Sequence, residues 1–439
     1  MEKALTTIIR APDRRLLLAL FGVACLLRLG AAGALRAWEN PQAWENGSIA
    51  QSIASGKGFS FDYRQGEISN YYTLRHPVPT SFQAPFYPYL LAGFYALGHH
   101  LGPERALLLL LILQAAVGAA LVIPAYHIGR RLFDRRVGLV SAGVAAIYPA
   151  FLYAATVPHQ AVWCITGFAV VFWAMLRLRE QPTLGPAALA GALLGLLLLA
   201  EPVFLGILAA GFIGIVLVSQ ARRRTILSGG VALGVALVVI SPWLVRGYRV
   251  HGRFVFMKSS SGFNLWQGNN LAANGTPHSG WIHVAYPAPP SLLRRVRQAH
   301  GELGRDDVWR QAALADMKAA PPRTARLMAE KVLFFWTITP YHRLTRNPWY
   351  WLPYALLFIP AIAVMVSLKR RLYAYLPALL PFAAATVIYS ITFTGPRYRM
   401  PLEPLLFVFS AQGLLLAASS VAKRIPGLAS ARSEGRESA

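Results

Sequence analysis

The sequence predicts an all-α polytopic membrane protein, a bundle of about ten transmembrane helices with two large extracytoplasmic loops. Three observations carry this. Hydrophobic residues make up 55% of the 439-residue chain and charged residues only 14%, against about 25% charged in an average soluble domain. The charges are lopsided, 43 Lys+Arg against 18 Asp+Glu, a formal +25. That excess has too little polar surface to sit on in a water-soluble fold, and hydrophobicity of this degree excludes intrinsic disorder. Finally, apolar runs of spanning length recur along the chain, punctuated by basic clusters.

A spanning helix needs roughly 20 mostly apolar residues. Ten segments qualify: residues 16–35, 106–128, 137–154, 161–176, 186–200, 203–218, 226–244, 349–368, 372–393 and 402–419. Arg14 and Arg15 precede the first. Arg130, Arg131, Arg135 and Arg136 lie between the second and third. Arg177 and Arg179 follow the fourth, Arg222 to Arg224 the sixth, Lys369 to Arg371 the eighth, and Lys423 and Arg424 the tenth. All fall on one side if the N-terminus is cytoplasmic and the spans alternate. Both termini of this multi-pass protein are therefore expected in the cytoplasm.

The apolar stretch 86–101 stays outside this count. It is short, carries Pro88, and ends in Gly98-His99-His100. Were it to span, the Arg130–Arg136 cluster would face outward, so it reads as an interfacial or re-entrant helix. Residues 325–337, interrupted by Glu330 and Lys331, read the same way. Ala32-Gly33-Ala34 resembles a signal cleavage site, but the apolar run before it is long and Arg28 interrupts its far end, so the segment is kept as a span. The outer loops are then 36–101 and 245–348, within one domain over 1–423. The Ser/Arg/Gly-rich tail 424–439 is expected to be a disordered cytoplasmic segment. Cys25 and Cys164 sit inside apolar runs and read as small buried hydrophobes.

Polar groups held against a bilayer are where a membrane protein concentrates function. The first-loop acids are Glu39, Glu45, Asp62 and Glu67. Glu45 precedes apolar residues at 49, 50, 53 and 54, which predict a short helix with one membrane-facing stripe, stopped at Gly56. A carboxylate at that depth can act as a general base; an acid near a helix N-terminus is equally explained by the helix dipole. Arg397 and Arg399 lie in an outer turn, Gly395-Pro396-Arg397-Tyr398-Arg399. Their planar forks suit phosphate, and snorkelling to headgroups suits them too. Arg246, Arg249, Arg253 and Lys258 follow the seventh span. Beyond them Gln267, Asn269 and Asn270, with Trp266, suit either sugar binding or a tight structured turn. His159, in the short loop 155–160, has no ligand partners by spacing and reads as a polar contact, not a metal ligand. No metal and no cofactor are expected.

Taken in order, the motifs resemble the GT-C superfamily of polytopic glycosyltransferases, in its family 39 (protein mannosyltransferase-like) bacterial branch. They are similar as well to the lipid A aminoarabinose transferases. The motifs are the first-loop acid followed by Ile49-Ala50 and Ser55-Gly56-Lys57-Gly58-Phe59, then Ala84-Pro85-Phe86-Tyr87-Pro88. Next come Gly129-Arg130-Arg131-Leu132-Phe133-Asp134-Arg135-Arg136 leading to Tyr148-Pro149, and Ser241-Pro242-Trp243-Leu244-Val245-Arg246 with Gly268-Asn269-Asn270 downstream. Arg397-Tyr398-Arg399-Met400-Pro401-Leu402-Glu403-Pro404 closes the series.

The resemblance implies transfer of a sugar from a polyprenyl-phosphate donor to a lipid, glycan or protein acceptor at the outer face of the bacterial inner membrane, among membrane lipids and without nucleic acid. It assigns Glu45, with Glu39 as second choice, as the catalytic acid residue. It places Arg397, Arg399 and Arg246 at the donor phosphate, and Tyr87, Asn269, Asn270 and His159 in substrate binding. The chain departs from the pattern where relatives carry an acid and it has His159-Gln160, and where Arg246 is followed by Gly247 instead of Asn. A lipid-linked-sugar flippase, or a non-catalytic protein of the same fold, are the alternatives.

Overall fold

The computed structural model describes residues 11–39, 41, 43–61, 77–276, 288–341 and 347–424. Asp62, Glu67 and the tail beyond 424 lie outside them. Among the described residues the architecture is almost wholly helical, with one two-residue hairpin.

The chain opens with α1 (Ala11–Ala34) and a short helix α2 (Trp44–Ala54). Strand β1 (Ser60–Phe61) pairs antiparallel with β2 (Val78–Pro79), Ser60 opposite Pro79. α3 (Phe86–Leu101) and α4 (Pro103–Ala120) follow, joined at Gly102, whose φ of 90° turns the chain between them. Then come α5 (Val122–Leu132), α6 (Arg135–Ile147), α7 (Pro149–Ala154), α8 (Ala161–Glu180), α9 (Leu184–Ala200), α10 (Phe204–Val218) and α11 (Arg222–His251). A separate lobe contains α12 (Ser261–Asn269), α13 (Pro290–Gln298), α14 (Gly301–Ala319) and α15 (Pro321–Trp336). The chain ends in α16 (Pro348–Ser367), α17 (Leu376–Ile391), the short turn α18 (Pro396–Arg399) and α19 (Glu403–Arg424).

Among the described residues, seven helical stretches are long and apolar enough to cross a membrane: 13–34, 103–132, 161–180, 222–251, 348–367, 371–391 and 396–420. The shorter apolar helices α9 and α10 and the broken pair α6–α7 occupy the three remaining predicted positions. The break has a defined cause. Pro149 has no N–H to give the Ala145 carbonyl and pushes Tyr148 into an extended conformation, ψ 119°. Arg28, fully buried, repairs it: Nη2 donates to Ala145 O and Nη1 to Ala146 O, each at 3.1 Å. The arginine that interrupts the first span thus replaces the missing helical donors.

The helices pack around one large apolar core built on Phe168, Phe172, Phe204, Phe335, Phe407 and Phe409. The lobe has its own, around Trp266, Leu292, Val296, Trp309 and Leu327. Asp306 ties it together by accepting from the N–H groups of Gly262 (2.9 Å) and Phe263 (3.0 Å) at the start of α12.

Two expectations are corrected. The stripe on α2 does not face lipid: Ile49 and Ala50 are fully buried, Ala50 against Tyr87 and Leu91 of α3. And the seventh span does not stop at 244. α11 runs on to His251, where Gly252 at φ 64° ends it, so Arg246 and Arg249 are helical residues.

Candidate functional site

Four connections meet at one end of the bundle: the start of α2, the α7–α8 loop, the α9–α10 turn and the α17–α18 turn, with Lys258 reaching in from the segment after α11. Glu45 sits in the first turn of α2, half-buried, and makes no hydrogen bond or ion pair among the described residues. Its neighbour Asn46 donates to Gln160 Oε1 at 3.0 Å. Gln160 Nε2 donates to Glu201 Oε2 at 3.2 Å, and Lys258 Nζ approaches the same oxygen at 3.3 Å. Arg397 lies across from these groups: both Glu45 and Glu201 act electrostatically on its guanidinium, and Nη2 donates to the Tyr398 hydroxyl at 2.5 Å. The Tyr398 ring leans on Tyr389 and Phe393, centroids 5.2 Å away in both cases, which limits how far the turn can swing.

Two backbone positions aim these charges. Trp44 and Met257 are non-glycine residues in the left-handed region, at φ 42° and 66°. Each immediately precedes a charged member of the cluster, Glu45 and Lys258. Such conformations cost on the order of 1–3 kcal/mol and persist only where surrounding packing over-determines them. Met257 is held by total burial and by Trp243 Nε1, which donates to its carbonyl at 2.9 Å.

His159 is in the cluster, its ring edge-to-face with Trp44 and the ring centroids 5.7 Å apart. Nδ1 accepts from the Ala161 N–H at 3.2 Å. Burial, then the positive charges of Arg397 and Lys258, push its pKa down to about 3, so it is a neutral imidazole at any physiological pH.

The remaining expected site residues are placed elsewhere or are already occupied. Glu39 pairs with Arg36 on an exposed turn, 3.3 Å apart. Arg399 is buried: it donates to Glu403 Oε1 (3.0 Å), Phe335 O (2.8 Å) and Thr337 O (3.1 Å), and its guanidinium lies 3.5 Å from the Tyr354 ring centroid. Arg246 staples α11 to the first loop, donating to Thr80 O (2.5 Å) and Phe59 O (2.8 Å) between the Phe59 and Trp243 rings. Asn269 and Asn270 are buried and spent on their own backbone: Asn269 Nδ2 donates to Leu265 O (2.8 Å) and Ile391 O (2.9 Å), Asn270 Nδ2 to Trp266 O (3.0 Å). The buried Tyr87 donates to Gln114 Oε1 at 3.0 Å, and Gln114 in turn holds Ala155 O and Val157 O. Tyr87 therefore supports the His159 loop from behind. In this structure these residues make hydrogen bonds within the protein, outside the Glu45–Arg397 cluster.

Conversely, Glu201 and Lys258 were not singled out as site residues. The available signal for Glu201 was an acid in a two-residue turn between apolar spans, on the side away from the basic clusters. Among the described residues no three His, Cys, Asp or Glu side chains gather as metal ligands would.

A profile of the family described as dolichyl-phosphate-mannose-protein mannosyltransferase matches residues 76–245. Among solved structures, the archaeal oligosaccharyltransferase AglB of Archaeoglobus fulgidus, in complex with an inhibitory peptide and a dolichol-phosphate, aligns at TM-score 0.52 and 15% identity, over 93% of this chain and 52% of that one. The same organism's enzyme tethered to an acceptor peptide aligns at 0.53 and 16%, over 93% and 50%. ArnT from Cupriavidus metallidurans bound to undecaprenyl phosphate aligns at 0.43 and 14%, over 93% and 80%. No curated protein sequence matches the chain. The chain spans about half the length of the archaeal structures, and over that length its fold is similar to theirs.

Proposed function

We propose that the protein is a glycosyltransferase that takes a sugar from a polyprenyl-phosphate donor at the extracytoplasmic membrane face. The observation that carries this is the juxtaposition of an unpaired carboxylate, Glu45, with two cations, Arg397 and Lys258, at one end of an apolar bundle. The fold and the mannosyltransferase profile support the same class of chemistry. The donor phosphodiester sits against Arg397 and Lys258, and its isoprenoid tail lies among the exposed apolar side chains of the bundle. Glu45 accepts the proton of an acceptor hydroxyl or amine as the acceptor heteroatom bonds to the anomeric carbon. The C–O bond to the phosphate breaks, its electron pair stays on the phosphate, and the two cations stabilise that charge. The acceptor is a lipid, a glycan or a protein.

Purified protein in nanodiscs with a labelled polyprenyl-phosphate sugar and an envelope extract tests this. Glu45→Gln should lower transfer by about 10²–10⁴-fold, the usual contribution of a general base, while polyprenyl-phosphate binding persists. Arg397→Gln should instead lose binding. Full transfer by Glu45→Gln would remove the base from the scheme, and donor binding without turnover by the wild type would favour a flippase.

A further inference from the structure

Glu201 has no role in the scheme above, yet it holds one of the two cations. We infer that Glu201 is a built-in competitor for Lys258 that loosens the site's hold on the spent lipid phosphate and so sets the rate of product release. The inference rests on the proposed transferase reading.

The argument is one of charge. The cluster brings together two cations, Arg397 and Lys258, and two carboxylates, Glu45 and Glu201. The donor is a phosphodiester with one negative charge. Transfer breaks the sugar C–O bond and leaves a phosphomonoester, which carries about −1.5 to −2 near neutral pH. The same two cations therefore hold the product more tightly than the donor, and turnover would stall on release. A carboxylate already hydrogen-bonded beside the Lys258 ammonium offers that ammonium an alternative partner. Glu201 is well fixed for this. Its backbone N–H donates to Leu197 O at 2.9 Å, capping α9, and Gln160 Nε2 holds Oε2 from the other side. The Asn46–Gln160 hydrogen bond links this anchor to the helix that carries Glu45. Glu201 touches neither sugar nor acceptor in this scheme; it acts through Lys258 and is a positioning residue.

The test measures binding of a short-chain polyprenyl phosphate and of its methyl ester to the full chain in nanodiscs, beside steady-state kinetics. Glu201→Gln should bind the phosphate about tenfold tighter, as removal of one half-buried counter-charge implies, and gain less for the singly charged ester. Its kcat should fall more than its kcat/KM. Glu201→Asp should keep wild-type affinity, and the double variant Glu201→Gln/Lys258→Met should lose the gain. An unchanged or weaker phosphate affinity in Glu201→Gln overturns the inference while leaving the transferase reading standing. Failure of the wild type to bind either ligand overturns both.

Discussion

Lys331 carries a charge where nothing compensates it. It is fully buried in α15, has no carboxylate partner among the described residues, and donates to Asn269 Oδ1 and Thr392 O, each at 2.7 Å. Burial, then the nearby Arg323, push its pKa down to about 7. The neutral amine still has two hydrogens to give, so both acceptors stay satisfied after deprotonation. The sign of the linkage follows. Between about pH 7 and the unperturbed value of 10.5 the unfolded chain holds a proton that the folded chain has released. Stability therefore rises as pH rises through that window. The melting temperature should climb from pH 7 to pH 9.5, and Lys331→Met should flatten the climb while lowering stability overall, because Asn269 Oδ1 and Thr392 O lose their donor at about 1–3 kcal/mol each. Equal slopes in the two proteins would show that Lys331 stays charged. Single residues also mark how far a site can be read from sequence. Glu45, Arg397 and His159 stood out because each is polar at an apolar boundary. Glu201 and Lys258 are 57 residues apart and acquire meaning only from their contact at 3.3 Å. Arg399 is a like case: its charge is visible in sequence, but its pairing with Glu403, one helical turn on, is visible only in the fold.

At the scale of elements, the site depends on how closely α12 approaches the end of α17. Gly268 permits this: a Cβ there would lie 1.9 Å from Thr392 O. Asn269 and Lys331 then fasten the same stretch, and Thr394 N donates to Gly275 O at 2.9 Å. That strap leads directly into the Arg397 turn. Gly268→Ala should push it away, costing about 1–3 kcal/mol of stability as over-packing does, and weaken polyprenyl-phosphate binding with it. Gly143→Ala, in α6 with nothing within 4 Å of its Cβ, is the control and should leave both unchanged or slightly improved. If Gly268→Ala loses stability but binds normally, the strap does not position Arg397. Hydropathy showed the helices in their observed order, since each span is a local property. Interlocks of this kind were illegible: a glycine in an Asn/Gln/Trp-rich run has the same sequence signature whether it faces a sugar or a carbonyl 124 residues away.

For the whole molecule, the open question is which way the bundle faces, and α3 decides it. Length alone does not. α3 has 16 residues, α9 has 17 and α10 has 15, all about 22–26 Å at 1.5 Å per residue and short of a 30 Å hydrocarbon core. Charge separates them. With α3 lying on the outer side, Arg14–Arg15, Arg130–Arg136, Arg177–Arg179, Arg222–Arg224, Lys369–Arg371 and Lys423–Arg424 share the cytoplasmic face, and the basic residues of the candidate site and the two large loops lie opposite. With α3 spanning, Arg130–Arg136, Arg177–Arg179, Arg222–Arg224, Lys369–Arg371 and Lys423–Arg424 all move outside, against the usual bias. Packing agrees with the first arrangement, because α3 buries Tyr87 and Leu91 against α2, the helix that presents Glu45. His99, exposed near the end of α3, reports the outcome. A His99→Cys variant in intact cells should react with a membrane-impermeant maleimide, while Arg224→Cys, after α10, should react only once the membrane is opened. The opposite pattern would overturn this orientation. Were α3 to span, Glu45 and Asn46 would lie on the face opposite Gln160, Glu201 and Lys258, which the Asn46–Gln160 hydrogen bond forbids in one folded chain. The charge asymmetry and the site geometry are therefore two independent routes to one orientation, and a single labelling experiment can break their agreement.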